Sequence, residues 1–325
     1  MKRVLITAFA LFGAVHAFAQ SAGVIEQQPN TPVALVPFST GTPQTVATTN
    51  ASGVCLCQPA FDPATNQVYF FAQPGGVPTI FAANVQTGAV RSVPITPPTA
   101  VSPLAWDSFS GKILSLTGFG PGPLHVVSID PNIGALQTIV TTSIVNASAD
   151  LALDVAGRRA FVFSNNSVGT QMLNTINLVT GTVTTVSIAS ATVTYEAMQY
   201  DPFTGKLIVL TNGAAGPHIE SMDPLTGARQ NLVTLPPSLV TVVHGLAFEP
   251  FSRTAIVFNG ATNSLAFANV ATAAVTNSAP IPGGLPFGIF GVAPAGANIP
   301  ALAAIALALL ALTLAALAVW RGGSA

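Results

Sequence analysis

Residues 200–235 read YDPFTGKLIVLTNGAAGPHIESMDPLTGARQNLVTL, and their pattern decides the fold. Two turn signals of one type stand in this stretch, Asp201-Pro-Phe-Thr-Gly205 and Asp223-Pro-Leu-Thr-Gly227, with short apolar strands around them. In each, the Asp side chain can accept backbone N–H groups, Pro presets φ, and Gly takes the positive-φ position from which the next strand leaves. Two hairpins in succession make a four-stranded antiparallel meander.

The rest of the chain repeats this unit. The second turn closes at Gly41, Gly88, Gly134, Gly181, Gly227 and Ala273, in steps of 47, 46, 47, 46 and 46 residues. A fixed period in this range, with four strands per unit, is the signature of a β-propeller blade. The first turn keeps the same beat, opening on Asp62, Asp107, Asp154, Asp201 and Glu249. After each acid comes a nearly continuous apolar run such as Gln67-Val-Tyr-Phe-Phe71, as expected of a strand covered on both faces. In blade terms the acid ends strand A and the apolar run is strand B.

The first unit lacks a strand A of its own, whereas Gly288-Ile-Phe-Gly-Val-Ala-Pro294 is a spare copy at the other end. The expected fold is therefore all-β, a six-bladed propeller over residues 20–294. Its last blade combines strand A from the C-terminus with strands C and D from residues 34–38 and 44–47. Strand B of that blade is expected to be missing, or improvised from Val24 to Gln27.

The 325 residues carry only 6 % charged side chains and a formal net charge of −1. No Lys or Arg run occurs beyond the N-terminus, so the phosphate neutralisation that nucleic-acid binding requires is absent. Lys2 and Arg3, a short apolar stretch at residues 4–15 and Ala17-Phe-Ala19 form the pattern of an export signal over residues 1–19. After a linker at residues 295–300, residues 301–320 hold no charge and span roughly 30 Å as a helix, the hydrocarbon thickness. A single transmembrane α-helix is expected there. Arg321 opens the tail of residues 321–325 and places it in the cytoplasm, with the propeller outside.

The segment Ile299-Pro-Ala-Leu302, the apolar run and Arg321 together resemble the IPTL-CTERM type of C-terminal sorting signal found on exported bacterial proteins. Ile299, Pro300 and Leu302 match that motif, and Ala301 stands where it has Thr. The resemblance covers under a tenth of the chain. It implies an envelope-anchored or surface-sorted protein and, as a partner, an exosortase-like membrane protease.

Catalytic signatures are missing: no G-x-S-x-G, no H-E-x-x-H, no phosphate-cradling loop, no calcium-loop spacing. The repeat acids are explained by turn capping. Positions five before each strand-A acid mark the entry to strand A, and there the chemistry varies from blade to blade: Cys57, Ser102, Ala149, Glu196 and His244, with Asp150 one step on. Glu196, His244, Asp150 and Ser102 are thus the candidate ligand-binding residues, with Glu196 and His244 able to share a proton or a ligand. No catalytic residue, metal ligand set or cofactor is assigned. Cys55-Leu-Cys57 admits a disulfide, two buried thiols or a share in a metal site, since residues two apart in a strand lie about 6.6 Å apart.

Two function classes remain. One is a non-catalytic binding or structural module for a glycan, a matrix polymer or a protein, tethered to the membrane by its C-terminal helix. The alternative is a metal-dependent hydrolase or lactonase-like propeller with its site at the channel mouth.

Overall fold

The computed structural model describes residues 21–292, except 27–29, 56–57, 120–121, 149, 166–169, 189–192, 215, 240–244 and 283–285. The expected signal segment, linker, membrane-spanning run and tail lie outside the described residues. Among the described residues no helix is long and apolar enough to cross a membrane.

Six four-stranded antiparallel sheets make the molecule, a six-bladed β-propeller. Blade 1 is β4 (Ala60–Asp62), β5 (Gln67–Ala72), β6 (Thr79–Asn84) and β7 (Val90–Pro94). Blade 2 is β8 (Leu104–Asp107), β9 (Lys112–Thr117), β10 (His125–Ile129) and β11 (Leu136–Thr141). Blade 3 is β12 (Ala152–Asp154), β13 (Arg159–Asn165), β14 (Gln171–Asn177) and β15 (Val183–Ser187). Blade 4 is β16 (Val193–Asp201), β17 (Lys206–Gly213), β18 (Gly216–Met222) and β19 (Arg229–Thr234). Blade 5 is β20 (Leu246–Glu249), β21 (Thr254–Asn259), β22 (Ser264–Asn269) and β23 (Val275–Asn277).

Blade 6 joins the two ends of the chain, in the order β24 (Pro286–Val292), β1 (Ser21–Glu26), β2 (Pro32–Pro37), β3 (Gln44–Thr48). Its strand B is neither missing nor makeshift. β1 is buried along its whole length and pairs with β2 on one side and β24 on the other, from Ser21↔Val292 inward. Residues 21–23 escape the sequence pattern because no acid-capped turn precedes them. At its centre Gly23 faces Phe290, and a Cβ on Gly23 would overlap the Phe290 ring. Ring and glycine fit because one has no side chain.

The core lies between blades, not within them. Each of six apolar clusters fills the gap between two adjacent blades. A period of two along strand B divides its side chains between two gaps. In β5, Val68, Phe70 and Ala72 pack towards blade 6, while Tyr69 and Phe71 pack towards blade 2. In β21, Ala255 and Val257 pack towards blade 4, and Ile256 and Phe258 towards blade 6. Strand B is therefore apolar at nearly every position. Neighbouring A strands touch all round the axis, β24 against β4 included, so the ring is closed.

Direction fixes two faces. A and C strands run towards one end, so the A–B and C–D turns share a turn face, and the B–C and D–A connections share the opposite loop face. The C–D turn chemistry is the same in blades 1–5, whereas blade 6 opens this turn with Pro37. Asn84, Asp130, Asn177, Asp223 and Asn269 accept N–H groups from two or three residues on, at 2.8–3.1 Å. The residue closing each C–D turn lies at φ between 58 and 74°, Ala273 among the glycines.

Candidate functional site

The A strands enclose an axial cavity of about 250 Å³. Phe61, Trp106, Tyr200, Phe248 and Phe290 line it together with the amides of Gln58 and Gln199. Gln199 Nε2 reaches Leu246 O at 3.4 Å, so its amide spans from blade 4 to blade 5. The Trp106 ring stacks on Tyr69 at 5.4 Å, and its buried indole N–H has no acceptor. No carboxylate or imidazole stands among the described lining residues.

The strand-A acids are absent from this wall because their own turns hold them. Asp62 accepts from Ala64 N at 3.0 Å and Thr65 Oγ1 at 2.5 Å. Asp107 accepts from Phe109 N at 3.2 Å and Ser110 Oγ at 2.7 Å. Glu249 makes the same turn with a longer arm, accepting from Phe251 N at 3.1 Å and from Ser252 N and Oγ at 2.6 Å.

Two of these acids also take a cation from the next blade. Arg158 Nη1 donates to both oxygens of Asp107 at 2.7 and 2.8 Å, and Arg253 Nη1 pairs with Asp201. Both arginines stand four residues after their own blade's acid, at φ 50 and 59°, where blades 2 and 4 have Gly111 and Gly205. Arg158 crosses to blade 2, and Arg159 grips Asp154 of its own turn at 2.6 Å, while both side chains stay partly exposed. The Asp154 bond, outweighing desolvation, raises the Arg159 pKa. Arginine alternating with glycine at acid-plus-four was a signal open to inspection.

On the loop face the sequence candidates do not converge into one described constellation. Ser102 is half-buried, with its Oγ 4.0 Å from Cys55 Sγ, joining the entries of blades 1 and 2. Cys55 is disulfide-bonded, and Cys57 lies outside the described residues. Asp150 is buried and engaged within the fold. Glu196 occupies a β-bulge, unpaired between Tyr195↔Thr211 and Ala197↔Leu210. Its Oε1 accepts from Asn212 Nδ2 at 3.2 Å, and its buried Oε2 has no partner. His244 lies outside the described residues. Among the described residues no three His, Cys, Asp or Glu side chains gather as a metal site would require.

The gap between blades 3 and 4 holds polar groups that periodicity alone does not reveal. Tyr195 packs on Phe163 at 5.0 Å, and the Arg229 guanidinium lies 5.7 Å from the Tyr195 ring centroid. Arg229 pairs with Glu220 at 3.3 Å. Burial pushes the Tyr195 phenol up to about 12, with Arg229 opposing and Glu220 adding to the rise. Its hydroxyl is buried without a partner, as is Nδ1 of His218.

No protein-family model matches the chain, and no curated protein does. Solved structures share its architecture. A chain of the nidogen/laminin complex superposes with a TM-score of 0.62 at 15 % identity, covering 85 % of this chain and 98 % of that one. TolB from Acinetobacter baumannii gives 0.64 at 12 % identity, over 88 % of this chain and 71 % of that one. A putative TolB from Agrobacterium tumefaciens gives 0.59 at 8 % identity, over 85 % and 98 %. At such identities the likeness is one of fold: this chain is similar to these proteins in being a β-propeller.

Proposed function

We propose that this chain is an exported, membrane-anchored propeller that acts as a non-catalytic binding module, offering its loop face to a protein, a glycan or a matrix polymer. The observation that carries this reading is the lining of the axial cavity. A propeller that hydrolyses through a metal ion needs several carboxylate or amide oxygens converging on its axis. Here aromatic rings, aliphatic side chains and two amides occupy the described wall, and the repeat acids, each next in sequence to a lining residue, are consumed by their own turns. The similarity of a nidogen/laminin chain, a propeller in a protein complex, supports a protein ligand.

In this reading Glu196 and His244 flank one stretch of the loop-face mouth, with Asp150 and Ser102 at the neighbouring entries. Cys55 pairs with Cys57, the chain's other cysteine, and rigidifies the entry beside Ser102. The tail at residues 299–321 is processed by a sorting protease. Metal analysis of the purified full chain is expected to find no stoichiometric calcium or zinc, and ester and lactone panels no turnover. Stoichiometric metal, with turnover lost in the Glu196→Ala/His244→Ala double variant, would overturn the binding-module reading in favour of the hydrolase.

A further inference from the structure

The five most exposed large apolar side chains, Phe109, Ile133, Val179, Phe203 and Leu225, are 56–77 % exposed, and all five sit on the turn face. They belong to consecutive blades 2, 3 and 4. Turn geometry does not require them. At positions equivalent to Phe109, Val179, Phe203 and Leu225, other blades carry Ala64, Gln86 or Ala271 and make the same hydrogen-bonded turns, while blade 5 carries Phe251, half-buried against Phe203 at 5.5 Å. On the loop face Val77, Phe119 and Val145 are the most exposed, at 41–47 %.

A second observation gives this face its neighbour. β1 begins and β24 ends at the turn-face edge of blade 6, where Ser21 pairs with Val292. The second apolar run of the chain, at residues 301–320, therefore follows from this edge. Between Val292 and the second run lie residues 293–300, which reach at most about 28 Å when extended. A membrane entered by residues 301–320 lies that close to the turn face. Of the cations near this face, Arg158, Arg159, Arg229 and Arg253 are each paired with an acid, while Lys112 and Lys206 add positive charge three residues after Phe109 and Phe203.

We propose that the turn face of blades 2–4 rests on the lipid surface, with Phe109, Ile133, Val179, Phe203 and Leu225 entering the boundary between headgroups and acyl chains. The proposal rests on residues 301–320 being membrane-inserted, and it leaves the loop face directed away from the bilayer.

The test uses the full chain, with Trp320→Phe removing the tail fluorophore, reconstituted into phosphatidylcholine vesicles. Leu225→Trp and Phe203→Trp report on the turn face, and Val77→Trp reports on the loop face. Brominated phosphatidylcholine is expected to quench the two turn-face reporters at least twofold more than Val77→Trp. Because the contact is apolar, about 0.5 M salt should leave that difference unchanged. Equal quenching on both faces, in protein that still floats with the vesicles, overturns the proposal and leaves the anchor standing. Protein that does not float overturns the anchor and the proposal with it. Turn-face emission that is blue-shifted but unquenched would mean that protein, not lipid, covers the face, and this too overturns it.

Discussion

At the residue scale, each blade repeats one turn grammar, and the departures from it carry the information. Ala273 adopts φ 58° where five other blades use glycine, a conformation that costs an L-residue roughly 1–2 kcal/mol. Gly134 could not be exchanged in the same way, since a Cβ there would overlap Pro94 O of the preceding blade. Arg158 and Arg253 also accept a left-handed backbone, and each thereby reaches the acid of the blade before it. Asp107 is 0 % exposed, so removing Arg158 would leave a buried carboxylate held by its turn alone. Tyr195 is the departure with a pH signature. Burial raises its pKa above the ordinary value of 10.0 to about 12, so the folded state keeps a proton that the unfolded chain loses earlier. Its contribution to stability is complete below about pH 10 and is lost as pH rises through about 12. Because its hydroxyl has no partner, Tyr195→Phe should be neutral or slightly stabilising at pH 7. Denaturant titrations between pH 9 and 12 should show a shallower loss of stability in that variant, and an unchanged slope would refute the assignment. Tyr69 and Tyr200 are also raised by burial and share in the remaining slope.

At the scale of elements, the joint between β1 and β24 decides whether six sheets become one ring. Phe290 lies over Gly23, stacks on Phe61 at 5.7 Å and completes the apolar layer between blades 6 and 1. Gly23→Ala should cost about 1–3 kcal/mol, the usual range for overpacking a filled site. Deleting residues 288–294 should do more, since it strips β1 of a partner and leaves an open sheet edge prone to aggregation. Thermal melts of the two variants check this, and a truncated chain that melts like its parent would refute the closure. Most of this architecture was legible in the chain because the turns are written in Asp, Asn, Pro and Gly at fixed steps. β1 was legible only in part, at residues 24–26 of the expected 24–27, because strand B is recognised by the acid-capped turn before it, and here strand A comes from the far end of the chain. The candidate site was legible only as positions. Ser102 precedes its A strand by two residues, whereas Glu196 lies inside β16, and the bulge that leaves its Oε2 without a partner follows from register, which composition cannot supply. The Arg–Asp links between blades were missed because their partners lie 51 and 52 residues apart, beyond any local pattern.

For the whole molecule, the decisive property is the asymmetry of its two faces and of its two ends. Lys2 and Arg3 precede the first apolar run, and Arg321 follows the last. On the N-terminal side of residues 301–320 the nearest cation is Arg253, too distant in sequence to influence orientation. For the proposed membrane-anchored arrangement, this charge bias favours the extreme C-terminus in the cytoplasm and the propeller across the membrane. The disulfide at Cys55 accords with that proposal, since thiols stay oxidised outside the cytoplasm and are reduced within it. An epitope tag inserted at Ala214, an exposed position in the B–C connection of blade 4, tests this arrangement without disturbing the turn face. Protease added to intact spheroplasts should destroy the tag, while a cytoplasmic control protein survives. Should a sorting protease have already removed the tail, the tag would still be found outside the cytoplasm, now released from the membrane fraction. A tag that resists protease until detergent is added would place the propeller inside and reverse the orientation drawn from Arg321. It would also leave Cys55 in a reducing compartment, where its disulfide could not be maintained, so the same spheroplasts treated with a thiol-reactive probe should agree with the protease result.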